Sequence, residues 1–179
     1  LLEHIASLPF KLTEAQERVL SETRADLASG SPMNRLLQGD VGSGKTVIAA
    51  LAIAIITQHG AQSAIMAPTS ILAEQHYRTM SKLLQNILQP AEIALLVGDT
   101  PESEKRVIRS GLADGSIKLV IGTHALIEDP VEFQLLQLAV IDEQHRFGVS
   151  QRSLLRSKGQ NLHLLMMTAT PIPRSLALI

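Results

Sequence analysis

At 179 residues, 45% hydrophobic and 18% charged, the chain has the composition of one globular domain with a sizeable core, which excludes disorder and low complexity. A formal net charge of −1 excludes a polycation that coats nucleic acid nonspecifically, so any nucleic-acid contact must be local. The absence of cysteine excludes disulfides and thiolate metal sites and fits a reducing, cytoplasmic setting.

The first ten residues lack the basic start and small-residue cleavage site of a signal peptide, and the opening Leu1, with no initiator methionine, reads as the start of an excised fragment. Apolar runs then alternate with longer segments of helical period, the pattern of a parallel sheet flanked by helices. The first helix is expected over Glu14–Leu27 and the first strand over Arg35–Gln38.

That strand runs into Gly39, Asp40, Val41, Gly42, Ser43, Gly44, Lys45 and Thr46, which together match G-x-x-x-x-G-K-[ST] and open a helix over Lys45–Gln58. Glycines let backbone N–H groups curl around a polyphosphate with no Cβ in the way, and the helix N-terminus adds partial positive charge. Lys45 is placed to reach the β- and γ-phosphates of ATP, and the Thr46 hydroxyl to ligate Mg2+. A glycine-rich turn serving only as a helix cap would need neither the lysine nor the hydroxyl. Val47–Ile56 is continuously apolar but only ten residues long, too short to span a bilayer, and reads as a buried helix.

Further strands are expected at Ser63–Ala67, Glu92–Val97, Lys118–Ile121, Leu138–Ile141 and Leu164–Thr168, mostly continuous apolar runs suited to strands buried on both faces. Helices are expected at Ile71–Leu88, Glu102–Ala113 and Gln151–Arg156. The Leu138–Ile141 strand ends in Asp142 and Glu143, about a hundred residues after the glycine loop, at the sheet end that faces the ligand crevice in open α/β folds. Asp142 is suited to hold Mg2+ through its water shell, and Glu143 to orient or deprotonate an attacking water. A helix N-terminus decorated with acids would explain the same pair without a ligand.

With GSGKT before it and TATPIPR after it, the DEQH segment over Asp142–His145 resembles the superfamily 2 helicases and translocases. The strings LLQGDVGSGKT, IGTHALI, IDEQHRFGVSQR and MTATPIPRSLAL are similar to the RecG family of DNA branch-migration helicases. The likeness covers essentially the whole chain. It implies a RecA-like P-loop NTPase domain over residues 1–179, the first motor domain of an ATP-dependent DNA helicase acting in recombination and repair, with the second motor domain and the DNA wedge domain absent. It also implies that the arginines stabilising phosphoryl transfer come from that second domain, so the fragment alone is expected to be nearly inactive.

The resemblance extends residue by residue. Phe10 and Gln16, in LPFKLTEAQ, fall where these motors recognise adenine, although Thr13 and Gln16 equally suit a capping box. Thr69 in APTSILAEQH, with Thr123 and His124 in GTHA, fall where the family grips DNA backbone, with helix capping as the lesser alternative for each threonine. Thr168 and Thr170 in TATPIPR, with Gln144 and His145, fall where the family couples the nucleotide to DNA. Motif III, TATPIPR, is expected between the phosphate-loop strand and the acidic strand. Ser70 stands where the RecG pattern has Glu, which puts any contact of that acid in doubt. The rival reading, the transcription-repair coupling translocase, more often has Glu at Gln144 and a bulkier residue at Ser43. A non-catalytic nucleotide-binding module or a P-loop kinase would also carry the glycine loop. The first has no need of Glu143, and the second has no use for GTHA or TATPIPR.

The expected ligands are therefore ATP, Mg2+ and the backbone of branched duplex DNA. Among the six histidines, none forms an i, i+4 pair, and surface or capping roles are expected for them. The basic residues on the helices, Arg109 among them, read as solvated faces. Phe10, Tyr77, Phe133 and Phe147 are too few for a base-stacking platform.

Overall fold

The computed structural model describes residues 8, 11–38, 44–128, 130–142 and 148–168. Strands and helices alternate through them: α1 (Glu14–Ala28), β1 (Asn34–Gln38), α2 (Lys45–Gln58), β2 (Gln62–Met66), α3 (Ser70–Leu83), β3 (Ile93–Leu96), α4 (Glu102–Asp114), β4 (Leu119–Gly122), β5 (Leu136–Asp142), α5 (Val149–Ser157) and β6 (His163–Thr168). The strands form one six-stranded sheet in the order β1-β6-β5-β2-β4-β3, and every pairing is parallel. This is the parallel α/β sheet expected from the alternating pattern, and it agrees with the RecA-like domain that the resemblance implied.

Period-2 geometry explains why the strands read as unbroken apolar runs. Ile65, Leu119, Ile121, Leu138, Val140, Leu165 and Met167 face one core with α1, α2 and α3. Their neighbours Ala64, Met66, Val120, Ala139, Ile141, Leu164 and Met166 face a second core with Leu112 of α4 and Leu155 of α5. With helices on both faces, the inner strands β2, β4, β5 and β6 have almost no wet side to be polar on, whereas the edge strand β1 keeps Asn34 and Gln38 exposed. The run Ile48–Ile56 is buried all round, because α2 lies against the sheet and is flanked by α1 and α3. Among the described residues no helix is long and apolar enough to cross a membrane.

The sequence pattern placed α3 too long. It ends at Leu83, where Leu84 leaves helical geometry at φ −104, ψ 11 and donates its N–H to the Met80 carbonyl. Leu84 and Leu88 keep the apolar period because both stay buried in the turn that follows. Pro90 then opens a short 3-10 helix over Pro90–Glu92, so Glu92 precedes β3 and does not begin it. A second short 3-10 helix, His124–Ile127, follows β4.

One buried amide ties three segments together. Gln62 is 1% exposed. Its Nε2 donates to the carbonyls of Leu112 (2.9 Å) and Ile117 (2.8 Å), and its Oε1 accepts from Leu135 N–H (2.9 Å). Gln62→Leu would leave two carbonyls and one N–H without this partner, and such groups cost about 1–3 kcal/mol each. A loss of about 3 kcal/mol in unfolding free energy, with an unchanged denaturant m-value, is the expected result of urea melts.

At the start of β6, Met33 N–H donates to Nδ1 of His163 (2.8 Å), which makes that nitrogen the acceptor and puts the ring proton of the neutral form on Nε2. Burial lowers the His163 pKa, and the charge of Asp26 opposes this. The group is therefore protonated more readily in the unfolded chain. Its contribution to stability is full above the unfolded value, about 6.5, and is lost as pH falls from there through the folded value. His163→Gln, which can keep an acceptor, is expected to lose less stability than the wild type between pH 7.5 and 5 in denaturant melts. Equal losses would exclude His163 as the source. His59, exposed at the C-cap of α2 with Nδ1 2.8 Å from the Ile55 carbonyl, fits the expectation of surface or capping histidines, whereas His163, partly buried with a specific backbone partner, does not.

Candidate active site

Because every strand runs the same way, their C-terminal ends share one edge. Gln38, the last residue of β1, is in register with Thr168, and Met167 is in register with Asp142. β6 therefore lies between the strand that leads into the glycine loop and the strand that ends in the acid, where motif III was expected. On the other side of β5, Ile141 is in register with Met66, and Met66 with Gly122. Ala67 N–H then donates to the Gly122 carbonyl (2.8 Å). Parallel register thus brings the segments beginning at Ala67 and Thr123 to the same edge as Asp142.

At the head of α2, Gly44 is the N-cap with φ +85, a left-handed conformation that glycine adopts without a Cβ penalty. A Cβ there would also collide with Nε2 of Gln16. The N-terminus has no side-chain cap and no acid in its first turn. An α-helix end so built presents amide donors and positive dipole to an anion. Lys45 and Thr46 begin the helix and are half-buried. Gly39–Ser43, Phe10, Glu143, Gln144, His145 and Thr170 lie outside the described residues.

Gln16 does two things at once. Its Oε1 accepts from Thr13 N–H (2.9 Å) while its own N–H donates to the Thr13 hydroxyl (3.2 Å), completing the capping box of α1. Its Nε2 end sits against Gly44. The cap therefore does not remove Gln16 from the head of α2; it fixes the side chain there.

The two threonines differ. Thr69 is the N-cap of α3, and its hydroxyl accepts from Leu72 N–H (3.3 Å). Thr123 precedes the 3-10 helix, and its side chain makes no cap hydrogen bond. His124 Nε2 lies 2.8 Å from Nε2 of Gln151 on α5, so the amide donates and the ring accepts. Gln151 Oε1 meanwhile accepts from Gly148 N–H (3.1 Å), which seats the start of α5. Thr168 is 9% exposed at the end of β6.

His76 is the residue that sequence reasoning missed. Its Nε2 lies 2.6 Å from Oδ2 of Asp142, with side-chain exposures of 14% and 19%. The signal was present in α3: Ala73 and Met80 are fully buried, and position 76 lies on the same helical stripe. A polar side chain on a core-facing stripe requires a partner, and here the partner is the strand-end acid. Arg109 also departs from the solvated-face reading, since its guanidinium pairs with Glu102 (3.0 Å) and its Nε is buried without a hydrogen-bond partner.

No group of three or more metal-ligating side chains occurs among the described residues. Mg2+ usually binds through one or two protein oxygens plus substrate phosphates and seldom in an all-protein cage. Thr46, at the head of α2, and Asp142, at the end of β5, carry oxygens of the expected type. A groove of about 780 Å³ lies along the free edge of β3, remote from β1, between Tyr77 and Val107. Glu74, Asp99 and Glu104 line it, so its charge is wrong for a polyphosphate.

The chain is 57% identical over 176 residues to the ATP-dependent DNA helicase RecG of Thermotoga maritima, covering 98% of this chain and 22% of that protein. It is 55% identical over 172 residues to the ATP-dependent DNA helicase RecG of Streptococcus pneumoniae, covering 96% of this chain and 25% of that protein. A solved structure of RecG bound to a three-way DNA junction superposes with a TM-score of 0.85 at 54% identity, over 99% of this chain and 23% of that one. Saccharomyces cerevisiae Dbp5, at 19% identity and a TM-score of 0.70, shares the fold. The chain spans about a quarter of the length of its RecG relatives. The sequence profile of the DEAD/DEAH box helicases matches residues 13–179, and the chain belongs to that family.

Proposed function

We propose that the chain is the first motor domain of a RecG-like, ATP-dependent DNA helicase that remodels branched DNA in recombination and repair, in the cytoplasm. In this reading the rest of the parent protein supplies a second RecA-like domain and a DNA wedge domain. The observation that carries it is the shared sheet edge, where the head of α2, Asp142, Thr168 and the segments beginning at Ala67 and Thr123 converge. A binder of nucleotide alone has no use for the last two segments.

Each residue then has a task. Gly39–Gly44 wrap the phosphates, Lys45 neutralises the β- and γ-oxygens, and Thr46 and Asp142 hold Mg2+. Bound Mg2+ would supply charge neutralisation as the γ-phosphoryl group departs. Glu143 takes the proton of the attacking water, and Phe10 and Gln16 select adenine. Gln144, His145, Thr168 and Thr170 relay the nucleotide state. Thr123 and His124 grip DNA backbone, as does Thr69 through groups other than its capping hydroxyl.

The reading is tested by the ATPase of the full-length parent titrated with forked duplex. Turnover is expected to rise with DNA, and the stimulation to fall steeply with salt, as phosphate contacts require. The isolated chain is expected to hydrolyse little ATP with or without DNA. Parent turnover that is indifferent to DNA would refute the motor assignment.

A further inference from the structure

The contact between His76 and Asp142 is used by none of the roles above. His76 lies on the second turn of α3, the helix that begins at the Thr69 cap, and α3 is anchored by Ala73 and Met80, both fully buried. From Thr69 to His76 is seven residues, a rise of about 10 Å along one rigid element. Midway along the helix, the Nε2 of His76 meets Oδ2 of Asp142 at 2.6 Å, in a part-buried setting where a hydrogen bond to a carboxylate is strong. A carboxylate has two oxygens, and fixing Oδ2 on a ring held by the core also fixes the direction of Oδ1.

We propose that His76 is a positioning residue that orients Asp142 for the Mg2+ of a bound nucleotide and links that carboxylate to the DNA-facing start of α3. This rests on the motor reading above. A side chain that hydrogen-bonds a metal-holding carboxylate typically alters metal affinity 10- to 100-fold when removed. Here the same bond joins two ligand sites. The head of α3 and the Asp142 carboxylate are thereby parts of one connected unit, so DNA seated on the first and MgATP on the second each favour the same Asp142 geometry through His76. By linkage, the effect of MgATP on DNA affinity must equal the effect of DNA on MgATP affinity.

The test uses the full-length parent with His76→Leu, which fills the apolar stripe but removes the N–H donor, and His76→Gln, which restores a donor. Fluorescent ATP-analogue binding titrated with Mg2+ is the first readout. Forked-duplex affinity with and without a non-hydrolysable MgATP analogue is the second. For His76→Leu, the Mg2+ concentration at half-maximal nucleotide binding is expected to rise about tenfold and the coupling between the two ligands to shrink several-fold. His76→Gln should retain most of both, and both variants should melt within a few degrees of the wild type. If His76→Leu folds and matches the wild type in both readouts, the bond is only structural and the proposal fails. If His76→Leu does not fold, His76→Gln decides alone: donor-dependent rescue requires near-wild-type coupling, and its loss refutes the proposal. Absence of DNA-stimulated turnover in the wild-type parent would instead remove the motor reading itself.

Discussion

Lys45→Ala in the full-length parent is expected to lower kcat for ATP by about 10²–10³-fold, equivalent to about 3–4 kcal/mol of lost transition-state stabilisation. The reasoning begins with α2. That helix is buried on every side from Ile48 to Ile56, so its N-terminus cannot tilt to follow a ligand, and Gly44 sets its start in a left-handed turn packed on Gln16. A lysine on the first residue of so fixed a helix delivers its charge to one place. Alanine keeps helix propensity while removing the ammonium group and its methylene stem from a half-buried first helical position, so the fold should survive, with the far-UV circular dichroism unchanged. Nucleotide binding should weaken as well, because β- and γ-phosphate contacts form in the ground state too. Retention of turnover within tenfold would show that Lys45 does not touch the transferred phosphate.

The second large effect concerns Glu143, which follows the last residue of β5. Glu143→Gln preserves size and hydrogen bonding but removes the ability to accept a proton, and general bases contribute about 10²–10⁴-fold. The parent carrying this change is expected to bind MgATP within a few-fold of the wild type and to lose that much of kcat. The two substitutions thus separate by phenotype: Lys45→Ala loses binding and turnover, and Glu143→Gln loses turnover alone. Single-turnover kinetics with equilibrium nucleotide binding would distinguish them. Unchanged turnover in Glu143→Gln would assign the base elsewhere and bring back the non-catalytic reading.

Much of this edge was legible in the sequence for a plain physical reason. Parallel strands buried on both faces must be apolar throughout, so β2, β4, β5 and β6 announced themselves, and each functional segment began where an apolar run ended. The helix from Lys45 to Gln58 matched to the residue, since a glycine loop at one end and His59–Gly60 at the other leave no freedom. The length of α3 was not legible, because Leu84 and Leu88 keep a helical spacing while packing from a turn. The partner of His76 was hidden for a different reason. It lies 66 positions away in the chain, and only the strand order β5-β2, with α3 following β2, brings imidazole and carboxylate together. Gln62 shows the same limit, since its three partners come from segments 50 to 73 positions distant.

Capping does not withdraw Gln16 or Thr69 from the places proposed for ligands. Gln16 completes a capping box and still reaches the head of α2, and Thr69 caps α3 at the edge where DNA contacts are proposed. A side chain immobilised by its cap is already ordered when a ligand arrives, which lowers the entropic cost of binding.

The central claim is that this edge powers movement along branched duplex DNA. It is tested most directly by unwinding of a forked duplex by the purified full-length parent with MgATP, alongside Lys45→Ala. Unaided unwinding by the wild type and none by the variant is the predicted result. Unwinding that required engagement of an RNA polymerase, or that persisted in Lys45→Ala, would contradict it.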